Sequence, residues 1–418
     1  MTFFANQNKG NLGLLKNTLL FISLIVTIIF YRVINVSDAV IPLIILFILI
    51  TIITGVYFVT NKMLSVFNFT FWILLFIVKV IFVYTYFIWG MVPFPDSFFY
   101  FDTLEKIRIS GNLTYGSITD IAGTPQIGYS YFIYFVTELF KNDFSLYLIN
   151  IFMFNVSLVL IKEVVKQDFG RKIANTLFFV SLLSGNLFIF TSFVLKDCLV
   201  LFLTTLTIYL YKNKKKPWFL LVIPLLVLTR IYAGFSIIVA LAVDVLLRRK
   251  INRKTKVRAI VVGVAFGVFF LSNPILSRYK DLVIQFIMEI DVANALIVIP
   301  QAIVKMFIAP LPWNIIGDKD IYSLVLFDSI ISLLFSAFLI MAVVKMFKYS
   351  DLRVRMYLYV IPILIHAAAL GIEYGGDSAR QRTGVMFFII LIFIVGAFNT
   401  QSTKLDDRSS GIERDHNN

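Results

Sequence analysis

Long apolar runs recur along the whole chain, and they constrain its fold more than any other feature. Of its 418 residues 59% are hydrophobic, and the mean hydropathy is +0.89. A helix needs about 20 apolar residues to cross a bilayer, whereas barrel strands are short alternating segments bounded by turns. The runs therefore predict an all-α, polytopic transmembrane helical bundle and exclude an outer-membrane barrel.

The runs predict about twelve spans in a single transmembrane domain over residues 1–400. The predicted spans are 17–36, 38–59, 68–91, 145–163, 173–193, 196–211, 217–229, 231–247, 258–275, 321–344, 355–372 and 383–398. Residues 93–125 form a first external loop and residues 276–320 a second, with short juxtamembrane helices. The polar tail, residues 401–418, is expected to be disordered in the cytoplasm.

Three blocks of Lys and Arg, at residues 212–216, 248–258 and 345–355, set the predicted orientation. By the positive-inside rule they face the cytoplasm, as in a multi-pass protein of the cytoplasmic (inner) membrane. A span at residues 127–140 would reverse that orientation, so we predict a short interfacial or re-entrant helix there. Because the basic residues lie between apolar runs, the net charge of +14 indicates membrane lipids as partners and not nucleic acid.

The sequence lacks the motifs that several classes of chemistry require. The single cysteine, Cys198, has no partner for a disulfide and no ligands at zinc spacing. No phosphate-cradling Gly-rich loop and no nucleophile elbow is found. His366, the only histidine in a predicted span, is read as a core residue. Redox chemistry, zinc chemistry and ATP-driven transport are therefore unsupported.

Charged residues at or near the outer ends of the predicted spans are the candidates for a functional site. Placing a charge in hydrocarbon is energetically costly, so charged residues at such positions usually belong to a functional site. The set consists of Asp96, Asp102, Lys196, Asp197, Arg230, Arg380 and Arg382.

Two carboxylates and one arginine have the most specific settings. Asp96 is flanked by proline at the membrane surface, which suits a general base. Asp197 is either a second carboxylate facing Asp96 or half of an internal ion pair with Lys196. Arg230 lies beside Tyr232 in a turn between two short helices, where its guanidinium would bind a phosphate bidentately or reach lipid head groups.

The remaining candidates each have two interpretations. Asp102 is either a second acid of the site or an exposed helix residue. Arg380 and Arg382 lie outside against the usual orientation bias, so they bind a pyrophosphate or lipid phosphate, or pair with the acids of their own loop.

The first external loop resembles a known superfamily. Asp96, Tyr100 four residues later, and Pro125 followed by Gly128-Tyr129 are similar to the first external loop of the glycosyltransferase C superfamily, membrane enzymes that use polyprenyl-phosphate sugars. The similarity covers roughly residues 93–250 and the C-terminal end. Further matching motifs are Gly170-Arg171-Lys172, Lys196-Asp197, Thr229-Arg230-Ile231-Tyr232 and Arg380-Gln381-Arg382.

The resemblance implies sugar transfer from a polyprenyl-phosphate-linked donor to a glycan or lipid acceptor at the outer face of the membrane, in cell-surface polysaccharide biosynthesis. It implies that Asp96, supported by Asp197, is the base or the ligand of a divalent metal, Mg²⁺ or Mn²⁺. The substrate-binding residues would be Tyr100, Asp102, Lys196, Arg230, Tyr232, Arg380 and Arg382. The chain departs from the pattern by two extra spans before the loop, no acid adjacent to Asp96 and no large C-terminal external domain.

Two alternatives remain open. An O-antigen or capsule repeat-unit polymerase also uses lipid-linked saccharides, but it depends on external arginines and not on a carboxylate base. A lipid-linked oligosaccharide flippase or another transporter would line a central path with charge between two repeated halves. The sequence shows no such internal symmetry.

Overall fold

The computed structural model describes Ser23 and residues 40–124, 126–213, 216–248, 292–315, 323–370 and 377–398. All regular structure in this part of the chain is helical, as predicted. The helices are α1 (Val40–Thr60), α2 (Val66–Ile88), α3 (Pro95–Ser110), α4 (Tyr115–Ala122), α5 (Gly128–Phe140), α6 (Ser145–Phe169), α7 (Arg171–Leu183), α8 (Gly185–Phe190), α9 (Lys196–Lys212), α10 (Lys216–Thr229), α11 (Ile231–Arg248), α12 (Val292–Ile308), α13 (Pro312–Ile315), α14 (Ser323–Leu334), α15 (Ser336–Lys348), α16 (Ser350–Leu370), α17 (Asp377–Arg382) and α18 (Met386–Ala397), the last preceded by a 3₁₀ turn, Thr383–Val385.

Within the described residues, five helical stretches are long and apolar enough to cross a membrane. They are Val40–Thr60, Val66–Ile88, Ser145–Phe169, Ser350–Ala369 and Ala379–Ala397. Helices α14 and α15 form a sixth candidate, bent by 50°. These helices indicate a multi-pass membrane protein, although the described part of the chain does not reach the predicted number of spans. The predicted spans 17–36, apart from Ser23, and 258–275 lie outside the described residues, as does the tail.

The shorter helices also begin and end close to the predicted boundaries. Helices α10 and α11 meet at Arg230, as expected for two short segments that turn there. Helix α5 has 13 residues. At about 1.5 Å per residue it is roughly 20 Å long, less than the hydrocarbon thickness of about 30 Å. A short helix at residues 127–140 therefore agrees with the structure.

Helix α6 and the last span form the centre of the bundle. In the most apolar stretch of each helix, 78% of the residues are buried in α6 and 83% in the last span. The corresponding fractions are 39% in α1 and 33% in α2. Helix α6 packs against α2, α7 and α9, and α18 packs against α7 and α15. The outer helices keep apolar side chains such as Ile41 and Ile81 exposed, which suits a surface facing lipid.

A helix break brings the start of α9 into the protein. The chain leaves the helical path at Ser184 between α7 and α8, and the Asp328 carboxylate of α14 holds this break. It accepts hydrogen bonds from Ser184 Oγ at 2.7 Å, from the Gly185 amide at 3.2 Å and from the Asn186 amide at 2.8 Å. After α8 a short turn, residues 191–195, leads directly into Lys196 and α9.

A second polar cluster fixes the other end of α9. Lys212 Nζ lies 2.8 Å from Asp168 Oδ2, and the Tyr359 hydroxyl donates to the same oxygen at 2.6 Å. Arg355 Nη1 donates to the Asp168 carbonyl at 2.6 Å. Helix α9 places Asp197 and Lys212 about 22 Å apart, so two polar clusters mark opposite ends of the bundle.

Candidate functional site

Four of the predicted charged residues meet in the folded protein. Arg230 Nη1 donates to Asp197 Oδ1 at 2.5 Å. Arg380 Nη2 lies 3.0 Å from Asp96 Oδ2, and Arg380 Nε lies 3.7 Å from Asp197 Oδ2. We call Asp96, Asp197, Arg230 and Arg380 the ion-pair network. These four of the seven candidate residues come together from separate helices and helix ends.

Both carboxylates of the network lie in the first turn of a helix. Pro95 begins α3 after the extended residue Phe94, which places Asp96 in the first turn. Asp197 follows Lys196, the first residue of α9, after the extended residue Leu195. Unpaired amides give a helix N-terminus a partial positive charge. Each carboxylate is therefore stabilised by its own helix as well as by the arginines.

The two arginines approach from helix boundaries. Arg230 lies between α10 and α11, and its amide donates to the Leu226 carbonyl at 2.8 Å. The Arg230 guanidinium carbon lies 5.2 Å from the centre of the Tyr232 ring, a cation–π distance. Arg380 belongs to α17, which leads into the last span. Helix ends thus supply all four charges.

Exposure separates the network into an inner and an outer pair. The side chains of Asp197 and Arg230 are 2% and 6% exposed, whereas those of Arg380 and Asp96 are 21% and 37% exposed. The inner pair is closed to solvent and to ligands. A molecule from outside therefore meets Asp96 and Arg380 first.

Two residues that sequence reasoning did not identify connect α3 and α6 to the turn before α9. Ser97 Oγ, next to Asp96, donates to the Val194 carbonyl at 3.0 Å. Asn150 Nδ2 of α6 donates to the Phe193 carbonyl at 2.6 Å. Both bonds hold the turn that precedes Lys196 and α9. Apart from the position of Ser97 beside Asp96, nothing in the sequence marks either residue.

Aromatic side chains surround the network. Tyr100, 6% exposed, contacts Tyr129 with ring centres 4.6 Å apart. Burial, and after it the charges of Asp197 and Asp96, raises the pKa of the Tyr100 hydroxyl, so this phenol stays protonated at neutral pH. It therefore stands beside the carboxylates as a hydrogen-bond donor and not as a base.

His366 lies nearer to the network than its interpretation as a core residue suggested. Its ring is perpendicular to the Tyr232 ring, with centres 4.9 Å apart. Nδ1 lies 2.8 Å from the Pro362 carbonyl oxygen, but Nε2 has no hydrogen-bond partner in the described part of the chain. The histidine is fully buried behind Tyr232, so it borders the site without reaching its open side.

Two predicted ligand-binding residues are not brought into the network. Asp102 is 55% exposed and lies 2.6 Å from Lys106, one turn further along α3, so the structure favours its reading as a solvated helix residue. Arg382 is fully buried, and within the described residues its guanidinium nitrogens have no hydrogen-bond partner. Arg382 interacts electrostatically with the Asp328 carboxylate. Of the three arginines predicted to bind phosphate, Arg230 and Arg380 therefore belong to the ion-pair network and Arg382 does not.

The ion pairs differ from the simplest sequence expectations. Asp197 pairs with Arg230 and Arg380 and not with the adjacent Lys196. Lys196 is half-buried and makes no ion pair with any described residue, although its charge interacts with both Asp96 and Asp197. Arg380 pairs with the distant acids Asp96 and Asp197, whereas Glu373 and the side chain of Asp377, the acids of its own loop, lie outside what the structure describes.

The donor set suits an anion better than a divalent metal ion. Among the described residues no three His, Cys, Asp or Glu side chains come together as ligands. Asp96 and Asp197 both contact Arg380, and Arg230 and Lys196 add further positive charge. Guanidinium groups bind phosphate and carboxylate through paired hydrogen bonds. The site thus offers one accessible carboxylate, Asp96, beside one accessible guanidinium group, Arg380.

Comparison of the chain with protein-family models, with curated proteins and with solved structures found no match.

Proposed function

We propose that this protein is an integral membrane glycosyltransferase that moves a sugar from a polyprenyl-phosphate-linked donor to a glycan or lipid acceptor. The observation that carries the proposal is the pair formed by Asp96 and Arg380, 3.0 Å apart at the accessible edge of a buried network. Transfer of this kind needs a base for the acceptor and a cation for the departing phosphate. Asp96 and Arg380 are those two groups.

In the proposed reaction, the acceptor hydroxyl oxygen attacks the anomeric carbon of the donor sugar. The bond between that carbon and the phosphate oxygen breaks, and the phosphate leaves with the electron pair. Asp96 takes the hydroxyl proton, and Arg380 stabilises the charge that develops on the phosphate. Asp197, closed between Arg230 and Arg380, does not meet the substrate but orients both guanidinium groups. Tyr100 donates a hydrogen bond to the substrate.

The setting proposed for this reaction is the outer face of the cytoplasmic membrane. The apolar helices hold the protein in the bilayer, and the network lies at the opposite end of α9 from the Lys212 cluster. With the Lys212 end in the cytoplasm, as the basic blocks predict, the network faces outward. A bundle of about twelve spans and a role in cell-surface polysaccharide biosynthesis belong to the same proposal.

The test is transfer of labelled sugar by the purified full-length protein in lipid nanodiscs, from a panel of polyprenyl-phosphate and polyprenyl-pyrophosphate donors. We expect Asp96→Asn to lower the rate by about a hundredfold or more, since a general base contributes on that scale. Asp102→Asn removes the same charge from an exposed position of the same helix and should retain the wild-type rate. No transfer from any donor would refute the proposal.

The arginines also favour a second function, a repeat-unit polymerase that acts on lipid-linked saccharides. The observation is that Arg380, the accessible arginine of the network, lies against both carboxylates, 3.0 Å from Asp96 Oδ2 and 3.7 Å from Asp197 Oδ2. In a polymerase the arginines carry the chemistry and the carboxylates only orient them. Full activity of Asp96→Asn together with loss of activity in Arg380→Gln would select this function over the first.

A further inference from the structure

We infer that Asp96 and the phosphate group of the substrate compete for Arg380, so that binding of the phosphate releases Asp96 to act as the base. This inference rests on the proposed function and deepens it, because it states how the base is kept idle until the donor is bound. It follows from the way Arg380 is shared between two carboxylates.

Arg380 is held unequally by its two partners. Nη2 lies 3.0 Å from Asp96 Oδ2, within hydrogen-bond distance, whereas Nε lies 3.7 Å from Asp197 Oδ2, beyond it. Nε has no hydrogen-bond partner within the described residues. A guanidinium group carries five N–H donors in a planar fork that matches two phosphate oxygens at once. Because Nε is buried, the Nη groups are the donors open to a phosphate, and the closest contact of Arg380 is the one between Nη2 and Asp96.

The inner pair is not available for exchange. Asp197 accepts from Arg230 at 2.5 Å, and both side chains are almost completely buried. Removing one partner from a buried pair leaves an uncompensated charge, which is strongly unfavourable. Asp197 thus remains in place and continues to attract Arg380. A ligand therefore cannot displace Asp197, and Arg380 keeps its position when its outer partner changes.

The outer pair exchanges at little cost. The Asp96 side chain is 37% exposed and the Arg380 side chain 21% exposed. Ion pairs at such exposure are weak, because water solvates both groups once they separate. A phosphate that binds Arg380 through two hydrogen bonds replaces a single contact with Asp96. The Asp96 oxygen that faced Arg380 is then free to accept the proton of an acceptor hydroxyl.

The charges balance in the exchanged state. The network has two carboxylates and two guanidinium groups, so its formal charges cancel. Lys196, whose charge interacts with both carboxylates, adds one positive charge. A polyprenyl phosphodiester brings one negative charge, which neutralises the site. Phosphate binding at Arg380 therefore requires no further cation.

The inference predicts that removal of the competing carboxylate strengthens binding while it abolishes transfer. Full-length wild type, Asp96→Asn, Asp96→Ala and Asp102→Asn are compared in nanodiscs of zwitterionic lipid. The probes are geranylgeranyl phosphate and inorganic phosphate, with binding measured by calorimetry. We expect both Asp96 variants to bind geranylgeranyl phosphate about three- to fivefold more tightly than wild type, the scale of one exposed ion pair. Asp102→Asn should bind like wild type.

The double variant Asp96→Asn with Arg380→Gln identifies the cation, because the gain in affinity should disappear there. A gain with both probes supports competition for any phosphate. A gain with geranylgeranyl phosphate alone supports competition for a phosphate presented on a lipid chain. Equal binding by wild type and both Asp96 variants, or an equal gain in Asp102→Asn, overturns the inference and leaves the proposed function standing. No binding to wild type, together with no sugar transfer, overturns both.

Discussion

The Arg230 guanidinium donates to the Asp197 carboxylate at 2.5 Å, although 33 residues separate the two in the chain. Arg230 lies at the break between α10 and α11, and Asp197 lies in the first turn of α9. Both side chains are almost fully buried. A buried charge is tolerated only when it is paired and hydrogen-bonded, so each of the two residues compensates the buried charge of the other. The pair therefore joins three helix ends and supports the orientation of Arg380.

Removal of either member of this pair should destabilise the protein strongly. We expect Arg230→Met and Asp197→Asn each to lower the free energy of unfolding by about 3–5 kcal/mol. Among the described residues, the first leaves the buried Asp197 with only the 3.7 Å contact to Arg380, and the second leaves the buried Arg230 without an ion-pair partner. The combined variant should cost less than the sum of the two. Denaturant unfolding in mixed micelles measures the cycle. The exposed pair of Asp102 and Lys106 is the control, with an expected coupling below about 0.5 kcal/mol.

This account of the buried pair would be contradicted if the single variants at Arg230 and Asp197 lost as little free energy of unfolding as the Asp102 and Lys106 controls. A strictly additive double variant would contradict it as well, since additivity is expected only of residues that do not interact.

The helices could be predicted from the sequence because a helix that crosses lipid has a simple pattern, a continuous run of apolar residues. A span must be apolar throughout, so α1, expected at residues 38–59, occupies Val40–Thr60. The break at Ser184 could not be predicted in this way. It depends on Asp328, which is 144 residues further along the chain and accepts the Ser184 hydroxyl hydrogen bond. Apolar periodicity carries no information about such a distant partner.

The sequence predicts which residues belong to the network but not which of them form ion pairs with each other. The cost of charge near hydrocarbon identifies Asp96, Asp197, Arg230 and Arg380 one at a time. That Arg380 bridges the two carboxylates is a property of tertiary packing. The exclusion of Arg382 has a local reason, because residues two apart on a helix project about 200° apart. Arg380 faces the carboxylates, and Arg382 accordingly lies on the side of Asp328.

Lys79 should hold the turn before α9 closed, and Cys198 can report on it. Lys79 is fully buried in α2, where Nζ donates to the Leu187 carbonyl at 3.1 Å and to Thr191 Oγ1 at 2.5 Å. Cys198, the only cysteine of the chain, is buried just beyond that turn. We expect Lys79→Met to raise the rate of Cys198 labelling by a membrane-permeant maleimide about tenfold, since the turn would open more often.

Lys162→Met is the matched control for the labelling experiment. Lys162 is also a buried lysine in a span, but it donates to the Met63 carbonyl and makes no contact with the turn. Its substitution should leave the labelling rate within about twofold of wild type, because only distant contacts change. Equal acceleration in both lysine variants would show that any buried lysine loosens the fold, and the specific role of Lys79 would be lost.

Ser97→Ala should separate positioning from binding. The variant loses the hydrogen bond to Val194, which fixes Asp96 relative to the start of α9. A misplacement of about 1 Å costs up to roughly a hundredfold in rate, so kcat for the sugar transfer that we propose should fall at least tenfold. KM for the donor should change little, because Arg380 remains. Steady-state transfer kinetics test this, with Ser110→Ala, at the far end of α3, as the control. A fall confined to KM would assign Ser97 to binding.

Close packing of α5 against the end of α10 should make Gly128 intolerant of a side chain. A Cβ atom at Gly128 would lie 2.7 Å from the Thr229 backbone nitrogen and 2.8 Å from Thr229 Oγ1. Backbone cannot yield as a flexible side chain does, so Gly128→Ala must push the segment that carries Arg230. We expect a loss of about 1–3 kcal/mol in the free energy of unfolding, the usual cost of overpacking.

Gly116→Ala in α4 provides the comparison, because a Cβ there meets nothing within 4 Å. Alanine is favoured over glycine inside a helix by roughly 0.5–1 kcal/mol, so this variant should be as stable as wild type or slightly more stable. The two substitutions add the same methyl group, and only its surroundings differ. If Gly128→Ala also unfolds at the wild-type denaturant concentration, α5 does not press on the Thr229 backbone. The geometry of Arg230 would then have to be maintained by Asp197 and Tyr232 alone.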